Sequence, residues 1–190
     1  HQQHVRVGQV GAQVSDQVAH HVALARARPA QQQDVAAEQR VADGQKGVSY
    51  EKLFGPYLKD AKVIRLVDPY VRYDYQIHNL INFCEFIATA QDHVELNLTT
   101  CADSPEQEME LKAKLEELQN SLVKDRIVFK FTFDKGLHDR FVETDSGWRI
   151  ILGRGLDIYY KPEVRFSLGF IDQTKRRCKP TTITFVRVKS

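Results

Sequence analysis

The chain has 190 residues, with 27 Lys and Arg against 25 Asp and Glu and a formal charge of +2. That length suits one ordinary domain, and the near-balance of charge excludes an overall field that would gather nucleic acid or anionic lipid, so any anion site must be local. No apolar run approaches the roughly 20 residues of a spanning helix, and Cys84, Cys101 and Cys178 are too scattered for zinc ligands or a disulfide framework, reading instead as reduced thiols of an intracellular protein.

In chain order, residues 1–47 carry one leucine, Leu24, and no aromatic side chain, and are dominated by Ala, Val, Gln, His, Arg and Asp. Such a segment buries too little apolar surface to offset chain entropy. It is expected to be a disordered or non-native tail with at most a loose Ala/Gln-rich helix, and its His1, His4, His20 and His21 read as solvated. The absence of a starting Met and of a signal-peptide pattern suggests a fragment boundary. The folded domain is placed at residues 48–190.

Ser49 caps a short helix over 50–54 that Gly55-Pro56 is expected to interrupt or end. Lys62–Val67 reads as a strand stopped by Asp68-Pro69. Ile77, Leu80, Ile81, Cys84 and Ile87 recur at helical spacing over about residues 73–90, and Val94, Leu96 and Leu98 alternate as a strand. Ser104-Pro105-Glu106 opens a helix reaching about Lys124, and Ile127–Phe133 is the next strand. Strand–helix–strand–helix–strand predicts parallel pairing with right-handed crossovers. Phe141-Val142 and Trp148–Leu152 form a hairpin around Asp145-Ser146-Gly147, with last strands at Phe166–Phe170 and Thr182–Val188. The fold class is α/β, a mixed sheet flanked by helices.

The chemistry concentrates in Leu137-His138-Asp139-Arg140 and the Asp145 that follows. On an extended strand residues two apart share a face, so His138 and Arg140 project together. An imidazole beside a guanidinium suits holding, or attacking, a phosphate. Arg72, after the first strand, and Arg154, between Gly153 and Gly155 where the backbone is uncrowded, are further phosphate-binding candidates. The run Lys175-Arg176-Arg177 and Lys179 reads as a solvated loop. No metal site and no cofactor is expected.

The spacing His138-x-Arg140-x4-Asp145 resembles the His-x-Lys-x4-Asp motif of the phospholipase D superfamily, with Arg in place of Lys. The blocks Tyr50–Tyr57, Asp68-Pro69-Tyr70-Val71-Arg72, Gly147-Trp148, Gly153-Arg154-Gly155-Leu156-Asp157 and Arg165-Phe166-Ser167-Leu168-Gly169 narrow the resemblance to the C-terminal phospholipase-D-like domain of MIT-domain-containing proteins. It covers about residues 49–188.

This resemblance implies a phospholipase-D-like fold, a homodimer and, as in animal members, a non-catalytic module binding phosphoinositide on anionic membranes. His138 and Asp145 would be catalytic only if the domain turned over substrate. The alternatives are a dimeric phosphodiesterase or nuclease using His138 from each subunit, with nucleic acid as one substrate, and a dimerisation or adaptor domain of a larger chain. No MIT helical module is recognisable, so ESCRT binding is not carried over. The expected location is cytoplasmic, with peripheral membrane contact.

Overall fold

Seven strands form one open sheet in the order β1-β7-β6-β5-β2-β3-β4. They are β1 (Gln33–Val41), β2 (Val63–Val67), β3 (Val94–Thr100), β4 (Ile127–Phe133), β5 (Phe141–Thr144), β6 (Trp148–Leu152) and β7 (Thr181–Val188). The helices are α1 (Tyr50–Leu58), α2 (Asp74–Ala90) and α3 (Pro105–Leu122). The computed structural model describes residues 33–161 and 172–188. The strand expected at Phe166–Phe170 and the block Arg165-Phe166-Ser167-Leu168-Gly169 lie outside the described residues, as do the tail histidines.

The elements read from periodicity form for the reasons the sequence offers. Ser104 accepts the Gln107 N–H at 3.2 Å, and Pro105 opens α3 where its missing N–H costs nothing. Along β3 buried and half-buried residues alternate without a break. β2, β3 and β4 are parallel, joined through α2 and α3, and the remaining neighbours pair antiparallel. Ile64, Leu66, Leu96, Leu98, Phe129, Val142, Ile150, Ile183 and Phe185 form one buried cluster with Leu53, Phe54, Leu58, Leu80, Phe83, Ile87, Leu111 and Leu115 of the helices. Residues of opposite parity form a polar lattice instead, with Glu143 holding Arg65 at 2.8 Å and Arg149 at 3.2 Å, and Lys130 on Glu95 at 2.9 Å.

Two expectations are corrected. First, α1 does not end at Gly55-Pro56 but runs through to Leu58. A proline inside a helix costs about 3 kcal/mol, whereas Tyr50, Leu53, Phe54 and Leu58 are fully buried, each such side chain being worth about 1.5–3 kcal/mol. Gly55, lacking a Cβ, also relieves the crowding that proline imposes on the residue before it. Burial wins.

Second, the stretch expected to be a tail, with at most a helix, contains β1, which pairs along β7 from Gln33 opposite Val188 to Val41 opposite Thr181. Among the described residues strand pairing thus starts at Gln33, ahead of residue 48. Main-chain pairing holds this strand with little apolar burial, a source of order that a count of leucines and aromatics cannot register.

Candidate functional site

Because β2, β3 and β4 run parallel and β6 runs the same way, their carboxyl ends share one edge of the sheet with the approaches to β5 and β7. After β4 the chain must cross the ends of β3 and β2 to reach β5, which pairs with the far side of β2. That crossing carries His138 and Arg140 over the loop that leaves β2. Open α/β sheets place ligands at such carboxyl-end crevices.

Asp68 staples this rim. It is 2 % exposed, and its carboxylate accepts the Tyr70 N–H at 3.0 Å and the Leu156 N–H at 2.9 Å, joining the loops that leave β2 and β6. Burial pushes its carboxyl up to about 6, although the two N–H donors and the nearby Arg140 charge pull the other way. Gly155, at φ +61°, lies against it so closely that a Cβ would overlap the carboxylate. The Tyr50 hydroxyl donates to Leu156 O at 2.6 Å and fastens the same loop to α1.

Arg140 donates from Nη1 to Gly153 O at 2.9 Å, and its guanidinium stands 4.4 Å from the centre of the half-exposed Tyr70 ring. Its Nε is buried and has no hydrogen-bond partner. Arg72 approaches the same ring at 5.3 Å, but its donors are engaged: Nε on Pro69 O at 2.7 Å, Nη1 on the Asp103 carboxylate and Nη2 on Cys101 Sγ at 2.8 Å. Arg154 is exposed and bonds Pro180 O at 3.0 Å through Nε. His138 is exposed, with no bonded partner among the described residues.

The structure thus brings His138, Arg140, Arg72 and Arg154 to one edge. Asp145 is elsewhere: it sits beyond the other end of β5, where its carboxylate accepts the Lys62 N–H at 2.9 Å ahead of β2. It is not a partner for the His138 imidazole.

Sequence reasoning missed three rim groups. Asp157 holds Lys179 at 2.7 Å, and the other Asp157 oxygen is buried without a partner, as is Thr181 Oγ1. Arg176, read as part of a solvated run, is buried and donates to Asn79 Oδ1 at 3.1 Å with its guanidinium 4.5 Å from the Tyr159 ring. The only signal was the apolar Cys178 just beyond, which marks that segment as passing through the core.

The sequence matches the family described as phospholipase D-like domain at C-terminus of MIT over residues 47–187. A relative, MIT domain-containing protein 1 of mouse (Mus musculus), is 34 % identical over 146 residues, which is 76 % of this chain and 59 % of the relative. The chain therefore spans well under two thirds of that protein. Among solved structures, the archaeal chromatin protein TrmBL2, described as showing a novel mode of DNA binding, aligns over 81 % of this chain and 46 % of its own, at 11 % identity and a TM-score of 0.33. With a family match that runs from the loop before α1 into β7, the chain belongs to the phospholipase D-like domains found at the C-terminus of MIT proteins.

Proposed function

We propose that this domain is a binding module for anionic phosphate esters, with phosphoinositide headgroups at a membrane surface as its ligand, and that it is dimeric and does not cleave what it holds. One observation carries the reading: Arg140 keeps a buried, unpartnered Nε at the rim, beside the exposed and unbonded His138. A guanidinium fixed by a carbonyl and an aromatic face, with donors left over, is preorganised for phosphate oxygens. His138 adds a further donor, and Arg154 a cation within the same rim. Among the described residues no helix is long and apolar enough to cross a membrane, so membrane contact would run through such headgroup bonds.

Turnover on the phospholipase D pattern requires one His to attack phosphorus and a second to protonate the leaving group. Among the described residues the other histidines are His78, which lines a groove between α2 and α3, and His93, in the turn ahead of β3 at the far edge. Asp145 does not orient His138. A dimeric nuclease therefore has less support than a binding module, and an adaptor role without any ligand leaves the free donors of Arg140 unexplained.

Flotation with phosphatidylcholine vesicles, with and without phosphoinositide, tests the proposal. The wild type should float only with the phosphoinositide vesicles, and Arg140→Ala should weaken this by about tenfold or more, the value of a lost charge-assisted pair. A chromogenic phosphodiester should be hydrolysed no faster by wild type than by His138→Ala. Hydrolysis that disappears in His138→Ala would replace the binding reading with the enzymatic one, and light scattering reads the dimer.

A further inference from the structure

The sheet edge at β7 offers a second surface, which leads away from the rim where Thr181 begins the strand. β7 itself is integral to the core, with Ile183, Phe185 and Val186 fully buried. The strand laid along it is of another kind. Of Asp34–Val41, only Val41 is buried and Ala37 packs partly on the core, while Val35 is 67 % exposed and Arg40 pairs with its own neighbour Glu38 at 3.1 Å. The register also slips between Val35 and Ala37. All of β1 precedes the family match, which begins at residue 47, whereas β7 falls within it up to residue 187.

We infer that the β7 edge is a strand-addition site for an extended peptide, and that Gln33–Val41 is its resident, displaceable occupant. In strand addition the main-chain ladder supplies affinity and alternate side chains supply selection. Here the selecting positions are few. Val41 enters the core, Ala37 lies half-buried four residues earlier, and Asp34 stands opposite Arg187 in the register. The incoming partner is thus an extended segment with an acidic residue followed at three and seven places by small aliphatic ones.

β1 is anchored at its C-terminal side. Beyond its C-terminal end, Gly44 N–H donates to Cys178 O at 2.8 Å, Cys178 N–H to Gln45 O at 2.8 Å and Gly47 N–H to Thr174 O at 2.8 Å. Opening accordingly proceeds from the Gln33 end toward this fixed anchor, leaving a groove that begins at Val188.

Hydrogen exchange on the whole chain reads the opening. β1 amides and the β7 amides facing them should exchange about a hundredfold or more faster than those of β2 and β3, as locally opening elements do. Glu38 and Thr184 are directly opposite, so an oxidised Glu38→Cys/Thr184→Cys variant should lose that excess and regain it on reduction. A fluorescent peptide with the Gln33–Val41 sequence should bind the reduced variant and not the oxidised one. Equal protection of β1 and β3 overturns the inference. Opening without peptide binding overturns it too, because the edge would then be frayed rather than receptive. Concentration-dependent dimerisation abolished by the lock would make the occupant a second copy of β1 and overturn the external peptide.

Discussion

The two edges of the sheet close the same strands by different means. At the edge of His93 and Asp145 the closure is exposed: His93 and Gly147 take positive φ in tight turns, and Asp145 accepts the Lys62 N–H, 83 residues away in sequence, at the surface. At the opposite rim a buried carboxylate ties residues 88 apart in sequence, and a tyrosine hydroxyl ties residues 106 apart. Burying polar groups is costly unless each finds a partner. The rim nevertheless leaves Arg140 Nε, Asp157 Oδ1 and Thr181 Oγ1 without one. Closure alone needs none of this, as the far edge demonstrates, so the buried polar groups mark where the domain has something to hold.

The strongest way to break that contrast is to remove the staple. Gly155→Ala would force a Cβ into the Asp68 carboxylate at a positive φ, costing more than about 3 kcal/mol in strain and displaced packing. Urea unfolding should show the midpoint fall with little change in slope. A stable Gly155→Ala protein would mean that the two loops are not pinned together.

Asp68 gives the next largest effect, and its sign is opposite to that of an ordinary salt-bridged carboxylate. Its folded value of about 6 lies above the roughly 3.9 of an unfolded chain, so the folded state binds the proton more tightly. This group's favourable contribution is complete below about pH 4 and is lost as pH rises through 6, amounting to about 2–3 kcal/mol across that window. The stability of wild type minus that of Asp68→Asn should therefore decline between pH 4 and 7. A difference flat with pH would remove Asp68 from the buried position described.

Arg140→Lys sharpens the comparison at the level of geometry. It keeps the charge but loses the fork that reaches Gly153 O while facing Tyr70. Stability should fall by only about 1 kcal/mol, while phosphoinositide binding should drop by roughly tenfold. Equal binding by Lys would show that charge alone, and not the fixed fork, makes the site.

Much of this was legible beforehand because it rests on local rules. The cap at Ser104, the alternation in β3 and the parallel order of β2, β3 and β4 follow from neighbouring residues, whereas His138 and Arg140 lie in the loop ahead of β5 and not on the strand their parity assumed. What was not legible depended on distant partners. Asp68 reads as a strand-ending Asp-Pro until Leu156 arrives from the other side of the sheet. Arg176 reads as a solvated cation until Asn79 and Tyr159 enclose it. β1 is ordered by the backbone of β7, which no side-chain pattern in Gln33–Val41 announces.

The spacing of His138 and Asp145 shows how a motif can be met in sequence and divided in space. Four strand residues separate the approach to β5 from the turn that follows it, and at about 3.3 Å per residue this carries the two side chains to opposite edges. Asp145 thus closes a turn, and His138 stands at the rim without it. Asp145→Ala should cost about 0.5–1 kcal/mol through the Lys62 N–H it leaves unbonded at the surface, and vesicle binding should remain within about twofold of wild type, since charges a sheet's width apart are largely screened. If Asp145→Ala instead removed binding as completely as Arg140→Ala while the protein stayed folded, the two edges would act as one site, and the division between a closing edge and a holding edge would fail.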